Sequence, residues 1–140
     1  MIFRGEEIYQ LIPQRPPIVM VDVVWSASDT GAETGLTVLP DNIFVRDGVF
    51  REPGLIEHIA QSAAAYAGYG TFVRGEKTKL GFIGEIKDCE LLVLPPVGGE
   101  LHTEIQLVAE VGGIRLIRAE VRVNEIVAAT CQMKIFLKDD

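Results

Sequence analysis

The chain predicts an α+β domain in which one long central helix is wrapped by a curved antiparallel sheet of five or six strands. Two observations lead there. Only residues 55 to 72, LIEHIAQSAAAYAGYGTF, sustain helical spacing over several turns, and the segments after them alternate with a period of two. A length of 140 residues suits one compact domain, taken here as 1–140, burying roughly two thirds of its unfolded surface.

The elements follow in order. In GEEIYQLI, residues 5–12, Ile8, Leu11 and Ile12 stand at helical spacing behind two acidic residues that suit a helix N-terminus, so a short helix is expected. Pro13, Pro16 and Pro17 stop it. IVMVDVVWSA, residues 18–27, then reads as a β-branched strand, and GAETGLTVLP, residues 31–40, as its hairpin partner with Ala32, Thr34, Leu36 and Val38 on one face. REPG places Pro53 in the first helical turn, where a missing N–H costs little. Along the helix, Ile56, Ile59, Ala60, Ala63, Ala64 and Ala67 form an apolar face whose small side chains let a sheet approach closely.

Four strand-like runs close the chain: KLGFIGEIKDCELLVL, ELHTEIQLVAEV, IRLIRAEVRVNE and IVAATCQMKIFLK. In the second, Leu101, Thr103, Ile105 and Leu107 alternate with His102, Glu104, Gln106 and Val108. In the last, Val127, Ala129, Cys131, Met133, Ile135 and Leu137 share a face. EVGGI and VNEI are short enough to be hairpin turns.

Composition excludes several function classes. A net charge of −7 argues against nonspecific nucleic-acid binding, and the densest basic groups, Arg74, Lys77, Lys79 and Arg115, Arg118, Arg122, read as solvated faces. Cys89 and Cys131 lie in apolar strand runs without CxxC spacing, so both are expected to be buried free thiols, with no metal and no disulfide framework. No cofactor is called for. Neither a leader pattern nor an apolar run of about 18 residues is present, and the reading is cytoplasmic, with no membrane partner.

Three stretches together resemble the hot-dog-fold β-hydroxyacyl-acyl carrier protein dehydratases. That family reads L-P-H-R-x-P-(apolar)-V-D-R-V near its start; residues 11–24 here are LIPQRPPIVMVDVV, matching at Pro13, Arg15, Pro17, Val21, Asp22 and Val24. Gln14 stands where the family has histidine. FREPGLIEHIAQ, residues 50–61, is similar to the family's F-P-G-V-L-I-I-E-A-M-A-Q at Phe50, Ile56, Glu57, Ala60 and Gln61, and GFIGEIKDCELLVLPPVGGEL, residues 81–101, to its strand and Pro-Gly-Asp turn.

The resemblance implies removal of water from a 3-hydroxyacyl thioester carried on acyl carrier protein or coenzyme A. It also implies chains paired edge to edge, with histidine from one and carboxylate from the other. Histidine suits the task because it accepts and returns a proton near neutral pH. Gln14 keeps donors and an acceptor but has no accessible protonation state, so dehydration by this chain alone is expected to be weak or absent. The alternative for Gln14 is to satisfy loop backbone groups.

Glu57 falls at the family's carboxylate position, where desolvation among Leu55, Ile56 and Ile59 would let it act as an acid; the alternative is an exposed first-turn Glu favoured by the helix dipole. Pro53, Gly54 and Leu55 begin the helix whose N–H groups would hold the thioester oxygen, although the family's glycine aligns with Glu52, two places before Gly54. His58 is adjacent to Glu57 but turned about 100° from it, which suits surface or interface packing better than a replacement base. His102 is expected to be exposed. Three functions remain open. The leading one is a dehydratase-like acyl-binding protein, as a homodimer or as helper in a mixed dimer; the others are a hot-dog thioesterase using Glu57 and a noncatalytic acyl-binding module.

Overall fold

The structure, a computed structural model, describes residues 2–75 and 81–137. Lys77 and Lys79 of the basic group around Arg74 lie outside the described residues, as does Leu80 of the strand run that follows. A strand β1 of two residues, Phe3–Arg4, leads into a 3-10 helix over Gly5–Gln10, in which Glu7 Oε1 accepts the Arg4 N–H at 3.0 Å. The expected short helix is thus present but of the tighter kind. Ile8, Leu11 and Ile12 are buried, in a small cluster with Phe3, Val21, Val24 and Ala65.

Strands β2 (Val23–Ser28) and β3 (Gly31–Thr37) form the expected hairpin, and Ala32, Thr34, Leu36 and Val38 are buried. The first strand is shorter than IVMVDVVWSA suggested. Residues 18–22 stay outside the sheet because the backbone of Ile18 and Met20 bonds to helix side chains instead. A two-strand ribbon of β4 (Val45–Arg46) and β5 (Val49–Phe50) precedes the helix.

Helix α1 runs Glu52–Val73, 22 residues, with its proline in the first turn as expected. Ile59, Ala63 and Ala67 are buried, whereas Ile56, Ala60 and Ala64 are only half-buried. The buried arc is wider than the apolar positions and takes in His58, Gln61, Ser62 and Thr71. At Gly68 the helix meets the Leu11 carbonyl so closely that a Cβ would lie 2.0 Å from its oxygen.

The meander continues through β6 (Gly81–Leu91), β7 (Glu100–Val111), β8 (Ile114–Val123) and β9 (Ile126–Leu137). All seven strands of the main sheet pair antiparallel in the order β1-β2-β3-β7-β8-β9-β6, one more strand than the upper expected count because of β1. Both predicted turns form; Asn124 and Glu125 each take positive φ, as the tight hairpin favoured by strand twist requires. One face of the sheet carries Leu101, Thr103, Ile105, Ala129, Cys131, Met133 and Ile135 against α1. Val108 is exposed with the polar face, as the alternation has it; the alternation fails after it, where a register shift leaves Ala109 and Val111 exposed. Along the opposite face Arg118 and Arg122 pair with Glu120, whereas Arg115 pairs with Glu110 on the helix side, over the Tyr66 ring of α1.

Two cysteine and histidine expectations are corrected. Cys131 is buried, but Cys89 is exposed, because β6 is an edge strand that α1 barely covers. His58 is at neither the surface nor an interface; it is fully buried between helix and sheet.

Candidate active site

Three side chains within two turns of α1, His58, Gln61 and Ser62, fasten it to its surroundings. His58 and Ser62 are four residues apart and so lie on one helix face. They meet Thr103 and Thr34, which sit directly opposite each other in the β3–β7 register. The His58 Nε2 to Thr103 Oγ1 distance is 2.6 Å, and the Thr34 and Ser62 hydroxyls are 2.7 Å apart. His58 Nδ1 lies 2.6 Å from the Met20 carbonyl oxygen. A carbonyl can only accept, so Nδ1 carries the proton and Nε2 receives the Thr103 hydroxyl. Burial without a counter-charge pushes the imidazole down to about 4, which keeps it neutral.

Gln61 faces the segment before β2. Its Oε1 accepts the Met20 N–H at 2.6 Å, while its Nε2 donates to the Ile18 carbonyl at 2.8 Å and to Glu57 Oε1 at 2.7 Å. The Met20 peptide is therefore held at both ends, its N–H by Gln61 and its carbonyl by His58. Glu57 inherits that order: its half-buried carboxylate is oriented by an amide that is itself fixed.

Gln14 lies on the loop between two anchors on the same helix, Leu11 against Gly68 and Ile18 against Gln61. Its Oε1 is enclosed and has no hydrogen-bond partner. Loop carbonyls are served instead by Arg15, whose Nη1 donates to Ile12 O at 2.9 Å and Gln14 O at 2.8 Å with its guanidinium over the Tyr9 ring. The structure thus joins Glu57 to Gln61 and Met20, and does not bond Gln14 Oε1 to Glu57. Asp22 serves the fold nearby: its Oδ2 accepts the Thr37 N–H at 2.9 Å, and burial pushes its carboxyl up.

Of the three residues expected to start the substrate site, Pro53 borders an open cleft of about 600 Å³ with Phe44, Arg46 and Arg51. Gly54 lies beneath it, packed so tightly that a Cβ would come within 2.6 Å of Phe44 and Phe50, and its N–H donates to Arg51 O at 2.9 Å. Leu55 is buried in the main core. His102 is exposed as expected, stacked on Trp25 with Glu33 at 3.5 Å. Sequence reasoning missed Gln61 and His58 as the groups that order the site; Gln61 was visible as a matched residue, four places after Glu57. Among the described residues no His, Cys, Asp or Glu cluster is arranged to hold a metal, and no helix is long and apolar enough to cross a membrane.

A single α-helix among the described residues, clasped by a long antiparallel sheet, defines a hot-dog fold. The ApeP-like family, ApeP dehydratase, matches residues 6–140, and the chain belongs to that family. The dehydratase heterocomplex ApeI:P from Xenorhabdus doucetiae has a similar fold, with a TM-score of 0.86 at 20% identity over 95% of this chain and 91% of that one. The HP0420 homologue from Helicobacter felis superposes at 0.74, with 16% identity over 96% and 90%. A hypothetical thioesterase from Streptococcus pneumoniae, solved with coenzyme A, does so at 0.67, with 11% identity over 84% and 85%. No curated protein matches the chain.

Proposed function

We propose that this chain binds a 3-hydroxyacyl thioester on an acyl carrier protein or coenzyme A and acts as the carboxylate-supplying subunit of a mixed dimer with a histidine-bearing dehydratase. The observation that carries this is Glu57, presented at the start of the helix by a Gln61 amide that its bonds to Ile18 and to the Met20 peptide keep in place. Gln14 stands in the histidine position and cannot take a proton from carbon. In the mixed dimer the partner's histidine removes the α-proton, and Glu57 protonates or polarises the departing β-hydroxyl.

The free edge supports pairing. Strand β6 is 11 residues long and ends the sheet, so its outer row of backbone N–H and C=O groups is an edge that a second chain could extend. The Xenorhabdus protein of similar fold is a dehydratase heterocomplex, which supports the same arrangement here. Alone, the chain would pair with itself through this edge and retain only degenerate activity.

The test uses a 3-hydroxyacyl carrier thioester with the chain alone and mixed with a histidine-bearing dehydratase subunit. Enoyl product from the mixture, lowered on the order of 10² to 10⁴-fold by Glu57→Gln, is the expected result. Free thiol in place of enoyl product would mean that Glu57 directs water at the thioester, and neither product would leave only an acyl-binding role.

A further inference from the structure

We infer that Cys89 and Cys131 are a redox-sensitive thiol pair that closes into an intrachain disulfide between β6 and β9 when a peroxide reaches Cys89. The register supplies the juxtaposition. Lys87 pairs with Gln132 and Glu90 with Thr130, so a bulge sets Asp88 and Cys89 opposite the single residue Cys131. Asp88 takes φ 51°, the left-handed conformation that makes room for the extra residue and returns Cys89 to the face shared with Cys131. Neighbouring strands lie about 4.7 to 4.9 Å apart, and a disulfide spans Cα separations of about 4.4 to 6.8 Å.

The pair is asymmetric in the way a two-step oxidation needs. Cys89 is exposed and Cys131 is buried, and burial together with the neighbouring Cys89 thiol pushes Cys131 up to about 12. Cys131 therefore waits as a thiol while Cys89 meets the oxidant. The Cys89 sulfur attacks one peroxide oxygen, the O–O bond breaks, and a sulfenic acid and one water result. The Cys131 sulfur then attacks the Cys89 sulfur; the S–S bond forms, the S–O bond breaks, and the departing hydroxide takes the Cys131 proton as a second water. Two thiols lose two electrons to one peroxide. A side chain leaves the face of a sheet rather than its edge, so this chemistry does not rest on the strand pairing proposed above.

The full chain, reduced and then treated with hydrogen peroxide, is unfolded, alkylated with N-ethylmaleimide and weighed intact, with its oligomeric state recorded by light scattering. Alkylatable thiols should fall from both to none, with loss of two hydrogens and one cross-linked peptide containing Cys89 and Cys131. Amide exchange along β6 should slow. Cys131→Ala should leave Cys89 gaining oxygen, and Cys89→Ala should leave Cys131 fully alkylatable. Two thiols surviving the treatment, oxygen added to Cys89 while Cys131 still alkylates, or a disulfide joining two chains would each overturn the inference. Light scattering reads the pairing separately, so failure of either idea is distinguishable from failure of the other.

Discussion

Acidification should remove a defined part of the stability through one side chain, His58. In the folded protein its imidazole is held down to about 4, against 6.5 when unfolded. A histidine with a depressed folded value favours the native state fully above the unfolded value, and that contribution is lost as pH falls from about 6.5 through about 4. The gap corresponds to about 3 kcal/mol, nearly all of it lost by pH 4. Asp22 works in the opposite direction, because burial raises its carboxyl and acid relieves the cost of keeping it charged. The two are separated by comparison with His58→Gln, which retains hydrogen-bonding capacity but cannot titrate. Urea unfolding of both proteins from pH 7 to pH 4 should show the wild-type curve falling toward that of the variant by about 3 kcal/mol. Curves that stay parallel across that window would mean that His58 titrates alike in the folded and unfolded states, and a wild-type curve that rises relative to the variant would mean that it is charged when folded; either would overturn the neutral, desolvated imidazole.

Two substitutions test the helix–sheet contact. Thr34→Val leaves the buried Ser62 hydroxyl without its partner and should cost about 1 to 3 kcal/mol, as should Ser62→Ala, whereas the double variant should cost less than their sum. Denaturant midpoints that add without coupling would deny the bond. Gly68→Ala should destabilise by about 1 to 3 kcal/mol despite the roughly 1 kcal/mol gain in helix propensity, because the new methyl meets a backbone carbonyl that cannot swing away. An increase in thermal midpoint would show that the loop yields there.

The order of elements was legible because each used an unambiguous local signal. ELHTEIQLVAEV alternates for most of its length, Asn124–Glu125 can adopt a tight turn, and Pro53 belongs in a first turn. Prediction erred where tertiary contacts outweighed local preference. Residues 18–20 have strand composition, yet their backbone is captured by Gln61 and His58 and never enters the sheet. Cys89 lies in an apolar run, but hydropathy carries no information about whether a strand ends the sheet. His58 looked like a surface residue because a lone histidine gives no periodic signal; its burial depends on Thr103, 45 residues away.

The candidate site follows from the same contacts. A helix with an all-apolar face can roll or slide against a sheet at little cost, since hydrophobic burial has no direction. Here His58 and Ser62 must reach Thr103 and Thr34 together, and those two threonines are locked opposite each other by the β3–β7 register. Only one roll and one height of α1 satisfy both bonds, because leaving either hydroxyl or the imidazole unpaired in the core costs about 1 to 3 kcal/mol. That roll turns Glu57 away from the sheet and toward the loop carrying Ile18, Met20 and Gln14, where Gln61 takes hold of its carboxylate. The buried polar contacts beneath the helix thus orient Glu57 above it, and they are the part of the site that no local motif displays.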